Sequence, residues 1–163
     1  MTDEPGTIGV ATNAAFGGYD LSIQATSSSS NIMKAAALHL TIKPFTLSLS
    51  EGGVFLMGGD NESDSADITV TINRSPGFTG VVALSSEGLP TGGPHGGKMF
   101  ASLNPTSTAG NDSVLHVSAE RFAPESSFVL TIRGTSGNSV DTVQLGVEVF
   151  PSEVITPPSP VEP

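Results

Sequence analysis

Apolar and polar residues alternate with a period of two in segment after segment of this 163-residue chain. Clear examples are FTLSLS at 45–50, ADITVTIN at 66–73, FVLTI at 128–132 and VQLGVEV at 143–149. Successive side chains of an extended strand point to opposite faces, so each segment would present one apolar face to a core. Stretches rich in Gly, Pro, Asn and Ser separate the segments and are typical of turns. About seven strands at this spacing predict an all-β, immunoglobulin-like (Ig-like) antiparallel β-sandwich.

The same pattern divides the chain into three segments. Residues 44–150 hold the strands of the predicted sandwich. Residues 1–43 form an N-terminal arm, in which two alternating stretches, 19–23 and 38–42, flank a Ser-rich turn. Residues 151–163 are rich in Pro and acidic, and we predict an extended tail because Pro cannot donate a backbone hydrogen bond to a sheet.

The arm repeats the end of the sandwich. YDLSIQATS at 19–27 aligns with FVLTIRGTS at 128–136, and LHLTI at 38–42 aligns with LGVEV at 145–149. We therefore predict that the arm is a β-hairpin equivalent to the last two strands of an Ig-like repeat. Two unrelated hairpins with polar turns remain the alternative, since short alternating strands look alike.

Such a hairpin would expose a row of apolar side chains, because an isolated two-stranded ribbon has no core. The predicted partner-interface residues are Tyr19, Leu21, Ile23, Leu38, Leu40 and Ile42. Three ways of covering them are open: folding back on the sandwich, pairing with the edge of a neighbouring subunit, or packing within a longer protein of which this chain is a fragment. His95, in the Gly-rich loop at 88–97, is a further candidate for partner contact, since long loops on rigid scaffolds often bind.

The net charge of the chain limits the classes of molecule that it is expected to bind. The chain has 16 acidic and 6 basic residues, a net charge of −10, and its Lys and Arg residues are scattered. Nucleic acids and anionic membrane surfaces are disfavoured, because both require clustered Lys and Arg. No apolar run approaches the roughly 18–20 residues that cross a membrane, so no membrane insertion is predicted. We expect protein partners, with the chain as a homo-oligomer or as part of a larger assembly.

The sequence indicates no catalytic residues and no cofactor. The turn GTSGN around Ser136 is faintly similar to the nucleophile turn of serine proteases, but a triad also needs a positioned His and Asp. His39 and His116 lie in alternating stretches and are predicted to face solvent. The absence of Cys excludes disulfides and thiolate metal sites. We therefore predict that the protein is not an enzyme.

One acidic stretch is a weak candidate for calcium binding. Asp60, Glu62, Asp64 and Asp67 lie within eight residues, and carboxylate oxygens are calcium ligands. The spacing lacks the Asp-x-Asp-x-Asp-Gly frame of a calcium loop, and a solvated acidic turn is the simpler interpretation.

Several short motifs in residues 44–150 carry a family resemblance. They are Gly77-Phe78-Thr79-Gly80, Gly88-Leu89-Pro90, Phe100 to Pro105, Gly110 to Ser113, Ala123-Pro124 to Phe128, and Gly134-Thr135-Ser136-Gly137. In this pattern the chain resembles a family of prokaryotic and viral Ig-like repeats found in secreted, cell-surface and virion structural proteins. The loop after Pro90 is longer and richer in Gly than is usual there. The resemblance implies a role as spacer, adhesion module or surface decoration.

Three functions are compatible with these features. The favoured one is a non-enzymatic structural protein, an Ig-like module that decorates or cements a larger lattice, such as a virion capsid, tail or filament, through its hairpin and tails. The alternative is a fragment of a secreted or cell-surface protein built from tandem Ig-like repeats. A carbohydrate-binding module needs an aromatic platform, and the chain has no Trp and one Tyr. The predicted location is the virion or the cell surface and extracellular space.

Overall fold

A computed structural model describes residues 14–26, 33–58, 63–92 and 97–150. Within these residues the chain is all-β, as the alternation predicts. The strands are β1 (Gly17–Thr26), β2 (Met33–Ile42), β3 (Phe45–Leu49), β4 (Gly53–Met57), β5 (Asp64–Arg74), β6 (Val82–Glu87), β7 (Met99–Asn104), β8 (Ser107–Thr108), β9 (Asp112–Ala119), β10 (Ser126–Ser136) and β11 (Ser139–Phe150). No helix of this part is long and apolar enough to span a membrane.

Strands β3 to β11 form the two sheets of a β-sandwich. One sheet has four strands in the order β3-β5-β9-β7, and the other has five in the order β4-β11-β10-β6-β8. Neighbouring strands are antiparallel, except that β4 pairs with β11 in parallel. The predicted β-sandwich is therefore confirmed, with nine strands in the described residues where the sequence predicts about seven.

The core lies between the two sheets and is built from alternate residues of each strand. Strand β5 contributes Ile68, Val70 and Ile72, and β11 contributes Leu145 and Val147 to the same cluster. Burying one face of each strand is the main source of stability in such a sandwich. The alternation in the sequence thus identifies the core-facing residues of these strands.

Strands β1 and β2 form a separate two-stranded antiparallel sheet, which we call the hairpin. Its register runs from Gly17 opposite Ile42 to Thr26 opposite Met33. The strands are longer than the stretches predicted at 19–23 and 38–42. Strand β2 includes Ala35, a residue with helical preference, because backbone pairing with β1 continues past it.

The hairpin and the last two strands of the sandwich share one register. Leu21 pairs with Leu38 in the hairpin, and the aligned Leu130 pairs with Leu145 between β10 and β11. In the same way Tyr19 pairs with Leu40, and Phe128 with Val147. Residues that align in sequence are therefore also equivalent in strand pairing.

Two neighbouring residues of β9 test the position of the core. Leu115 is 0% exposed, whereas Val114 is 41% exposed on the opposite face. Leu115→Ala should lower the free energy of unfolding by about 2–5 kcal/mol, because it leaves a cavity. Val114→Ala should change it by less than about 0.5 kcal/mol. Urea denaturation measures both values, and similar losses for the two variants would contradict the assigned register.

Candidate functional site

The predicted partner-interface residues of the arm lie together on one face of the hairpin. The cross-strand pairs on this apolar face are Gly17 with Ile42, Tyr19 with Leu40, Leu21 with Leu38, Ile23 with Ala36 and Ala25 with Lys34. None of these side chains is buried, and Ile23 is 48% and Leu38 38% exposed. The hairpin therefore presents a continuous apolar surface that ends in a lysine.

The opposite face of the hairpin is more polar. Nδ1 of His39 lies 2.7 Å from a carboxylate oxygen of Asp20, and both side chains are exposed. Ser22 and Gln24 lie on the same face as Asp20, since they follow it at intervals of two residues. The hairpin is thus amphipathic, like an antiparallel sheet that packs one face against a core and leaves the other face in water.

The hairpin does not fold back on the sandwich. Within the described residues, no side chain of β1 or β2 is buried against another strand. Its base adjoins a crevice that also includes Pro44 and Phe45 at the start of β3 and Ser139 at the start of β11. Of the three arrangements considered from the sequence, intramolecular cover is therefore not what the structure shows.

A ring cluster joins the arm to the sandwich. The ring of Phe78 makes an edge contact with Phe16, at 5.8 Å between centroids, and stacks on buried Phe45 at 5.9 Å. Arg74 covers the Phe78 ring, with its Cζ 5.1 Å from the centroid. A Cβ atom on Gly80 would lie 2.6 Å from this ring, so a side chain there would displace it. Such aromatic and cation–π contacts fix orientation as well as adding stability.

Arg74 is itself held by backbone carbonyl groups. It donates hydrogen bonds to the carbonyl oxygens of Gly80 at 2.6 Å, Gly110 at 2.8 Å and Thr108 at 3.2 Å. A guanidinium with several fixed acceptors is pre-organised. The Phe78 ring on which Phe16 packs therefore lies under a guanidinium that three backbone carbonyl groups hold in place.

The carboxylate of Asp141 forms a second attachment at the hairpin base. It accepts a hydrogen bond from Nζ of Lys43, in the link between β2 and β3, and one of 2.8 Å from the backbone N–H of Leu47. The Asp141 side chain is only 13% exposed. This residue therefore connects the arm, strand β3 and strand β11.

The structure reveals a second apolar surface that the sequence analysis missed. Phe55, Met57, Val129 and Phe150 lie on the outer face of the five-stranded sheet, with Phe55 71% exposed. The rings of Phe55 and Phe150 stack at 6.1 Å. We call these four residues the aromatic patch. The signal in the sequence was VFLM at 54–57, an apolar run without alternation that leaves large side chains on both faces of β4.

A row of Asp67, His116 and Ser102 crosses the outer face of the four-stranded sheet. Nδ1 of His116 lies 2.6 Å from Asp67, and Ser102 is opposite His116 on the other side. The order of the three side chains, a carboxylate, an imidazole and a hydroxyl, resembles that of a catalytic triad. However, the Asp67 and His116 side chains are 67% and 47% exposed, so water competes for their hydrogen bonds and screens charge.

Two of the four calcium candidates are described. Asp64 and Asp67 are three residues apart on β5 and so point to opposite faces of the sheet. The Asp64 carboxylate accepts hydrogen bonds from the backbone N–H groups of Met57 and Ser65. Asp60, Glu62, His95 and the predicted tail at 151–163 lie outside the described residues. In the described part no three His, Cys, Asp or Glu side chains form a group that could hold a metal ion.

No family model matches the sequence, and no curated protein matches it. Among solved structures, domains 1–6 of the surface layer protein SbsC align with 17% identity and a TM-score of 0.45 over 84% of this chain and 20% of that one. Domains 4 and 5 of SbsC align with 18% identity and a TM-score of 0.43, over 86% and 72% of the two chains. An endo-fucoidan hydrolase of glycoside hydrolase family 107 aligns with 10% identity and a TM-score of 0.41, over 85% and 19%. This chain thus spans a small part of the first and third of these proteins. Similarity at this level indicates neither a shared family nor a shared function.

The two hydrogen-bond donors to the Asp141 carboxylate, Lys43 and the Leu47 backbone N–H, contribute separately to the free energy of unfolding. Asp141→Ala should lower the free energy of unfolding by about 1–3 kcal/mol, because it removes the acceptor of a part-buried backbone N–H. Lys43→Ala removes a half-exposed cation and should cost less than about 1 kcal/mol. Urea denaturation compares the two, and an equal loss would show that the ion pair, rather than the Leu47 hydrogen bond, dominates.

Calcium should leave the thermal stability unchanged. A ligand that binds the native state raises Tm, and millimolar Ca²⁺ would do so at a formed site. Asp64 and Asp67 face opposite ways, so we expect equal Tm values with Ca²⁺, with Mg²⁺ and with a chelator. A rise specific to Ca²⁺, and its loss in Asp64→Asn, would instead support the acidic stretch as a calcium site.

Proposed function

We propose that this chain is a non-enzymatic structural module that joins a larger protein assembly through its N-terminal hairpin. The observation that carries this proposal is the apolar face of the hairpin, which is attached to the sandwich at its base and uncovered along its length. A two-stranded ribbon is marginal in water, and an exposed apolar surface of this kind marks a protein contact. The apolar face would be buried if the hairpin added a strand to the sheet edge of a neighbouring subunit or packed its face on that subunit.

We propose further that the sandwich is Ig-like. The order β3-β5-β9-β7 corresponds to the A, B, E and D strands of that fold, and β11-β10-β6 corresponds to G, F and C. This correspondence supports membership of the Ig-like repeat family that the sequence resembles. A location on a virion, a cell surface or outside the cell follows from the same resemblance and is part of the proposal.

The charge distribution supports protein partners rather than nucleic acid. The net charge of −10 repels phosphate, and the six basic residues are scattered. The exposed row of Asp67, His116 and Ser102 supports a non-enzymatic role, since it lies on an open sheet face without enclosure from water.

A second candidate is a segment of a protein with tandem Ig-like repeats. The shared register of the hairpin and the β10–β11 pair favours it, because an additional repeat would end in such a hairpin. In that protein the apolar face would be covered by strands of the same repeat.

One pair of adjacent substitutions tests the role of the hairpin. Leu21→Lys places a charge on the apolar face, whereas Ser22→Lys places the same charge on the polar face. Where the partner is another copy of this chain, wild-type protein and Ser22→Lys should associate in sedimentation velocity and Leu21→Lys should be impaired, because an unpaired charge at a buried contact is costly. Urea denaturation of the sandwich should be the same for both variants.

Association of Leu21→Lys as strong as that of Ser22→Lys and of an associating wild-type protein would contradict the proposed function. Loss of association in both variants, with the sandwich intact, would place the contact on the hairpin without assigning it to the apolar face.

A further inference from the structure

The base of the hairpin and the aromatic patch lie at opposite ends of strand β11. The hairpin base lies beside Ser139, where β11 begins, and the aromatic patch includes Phe150, where β11 ends. Strand β11 has 12 residues, which separates the two regions by roughly 36 Å at about 3.3 Å per residue. Phe55 is 71% and Phe150 43% exposed, so the hairpin leaves the patch of its own chain uncovered.

The patch contains a depression suited to an aliphatic side chain. Gly146 pairs with Val129 on one side and with Gly53 of β4 on the other, so no side chain fills the sheet surface above it. The depression measures about 160 Å³ and is flanked by Phe55 and Val129. An engineered apolar cavity of about 150 Å³ accepts benzene, so a Leu or Ile side chain has a matching size.

The charges of the two surfaces are complementary. Strands β1 and β2 hold one Lys and one Asp, and the Asp lies on the polar face, so Lys34 is the charged residue of the apolar face. Residues 44–150 contain eleven acidic and four basic residues, a net charge of −7. Lys34 lies on the apolar face of the hairpin, opposite Ala25. Glu148 adjoins the patch and lies beside Phe55 of β4. Opposite charges at the rims of two apolar surfaces favour and orient their contact.

We propose that the apolar face of the hairpin of one copy docks on the aromatic patch of a second copy, head to tail. This inference rests on the proposed function and names the partner of the hairpin as another molecule of this chain. Each copy then donates its hairpin to one neighbour and receives a hairpin from another. Such a heterologous contact closes into a ring or continues as a filament, depending on the rotation between copies.

A mixing experiment tests this arrangement. Leu21→Lys disables the hairpin and keeps the patch, whereas Phe55→Lys disables the patch and keeps the hairpin. Phe55 is 71% exposed, so its replacement should leave the fold intact, and Val114→Lys, at an exposed Val of the other sheet, is the matched control. Each variant alone should self-associate about 30-fold or more weakly than wild-type protein, as expected for a residue central to an interface. Their equimolar mixture should form a 1:1 dimer that grows no further, because only one intact interface remains.

Each outcome of sedimentation velocity has a definite meaning. A dimer in the mixture, with Val114→Lys behaving as wild type, supports head-to-tail docking.

If Phe55→Lys associates like wild type while Leu21→Lys does not, the hairpin contacts another surface, such as a second hairpin. The inference then fails and the proposed function stands. If wild-type protein is monomeric at all concentrations, the patch is not a dock for a second copy and the inference fails. If Leu21→Lys associates like wild type, the proposed function fails as well.

Discussion

A ribbon of two β-strands cannot cover its own apolar face, and this constraint governs the organisation of the chain. In the sandwich each strand buries one face against the opposite sheet, as Ile68 and Leu145 do. In the hairpin the equivalent positions, such as Leu21 and Leu38, pair with each other along the strands but have no layer above them. Cross-strand pairing satisfies the hydrogen bonds of the backbone. The apolar face of the hairpin remains to be covered by another molecule or segment.

The attachment of the hairpin determines how that face can be used. Phe78 contacts Phe16 of the arm and Phe45 of the core, and the guanidinium of Arg74 lies over the same ring. Because Arg74 is bound to several loop carbonyls, a shift of the arm would disturb the loops of the sandwich as well. A hairpin fixed at its base loses less conformational freedom on binding than one on a flexible linker, and this favours association.

The sequence predicts most of the fold because alternation reports burial directly. The repeat seen in the sequence is matched in the strand pairing, since aligned residues such as Leu21 and Leu130 are paired equivalently. Alternation does not report what lies on the outer face of a sheet, so the patch around Phe55 was missed. Strand β2 was also predicted too short, because Ala35 has no strand preference and is extended only through pairing with β1. The row through His116 depends on pairing between strands that are distant in sequence, which no local pattern contains.

The placement of the two apolar surfaces limits the symmetry of an assembly. If hairpins met hairpins, the contact would be isologous, a dimer would satisfy every hairpin, and the aromatic patch would stay exposed. A head-to-tail contact covers both surfaces with one interface type, and it leaves uncovered only the ends of an open chain. The excess of negative charge on the sandwich opposes side-by-side packing of neighbouring sandwiches, while Lys34 on the apolar face of the hairpin is attracted to them. Burial of apolar area and the distribution of charge therefore both favour a head-to-tail arrangement of copies.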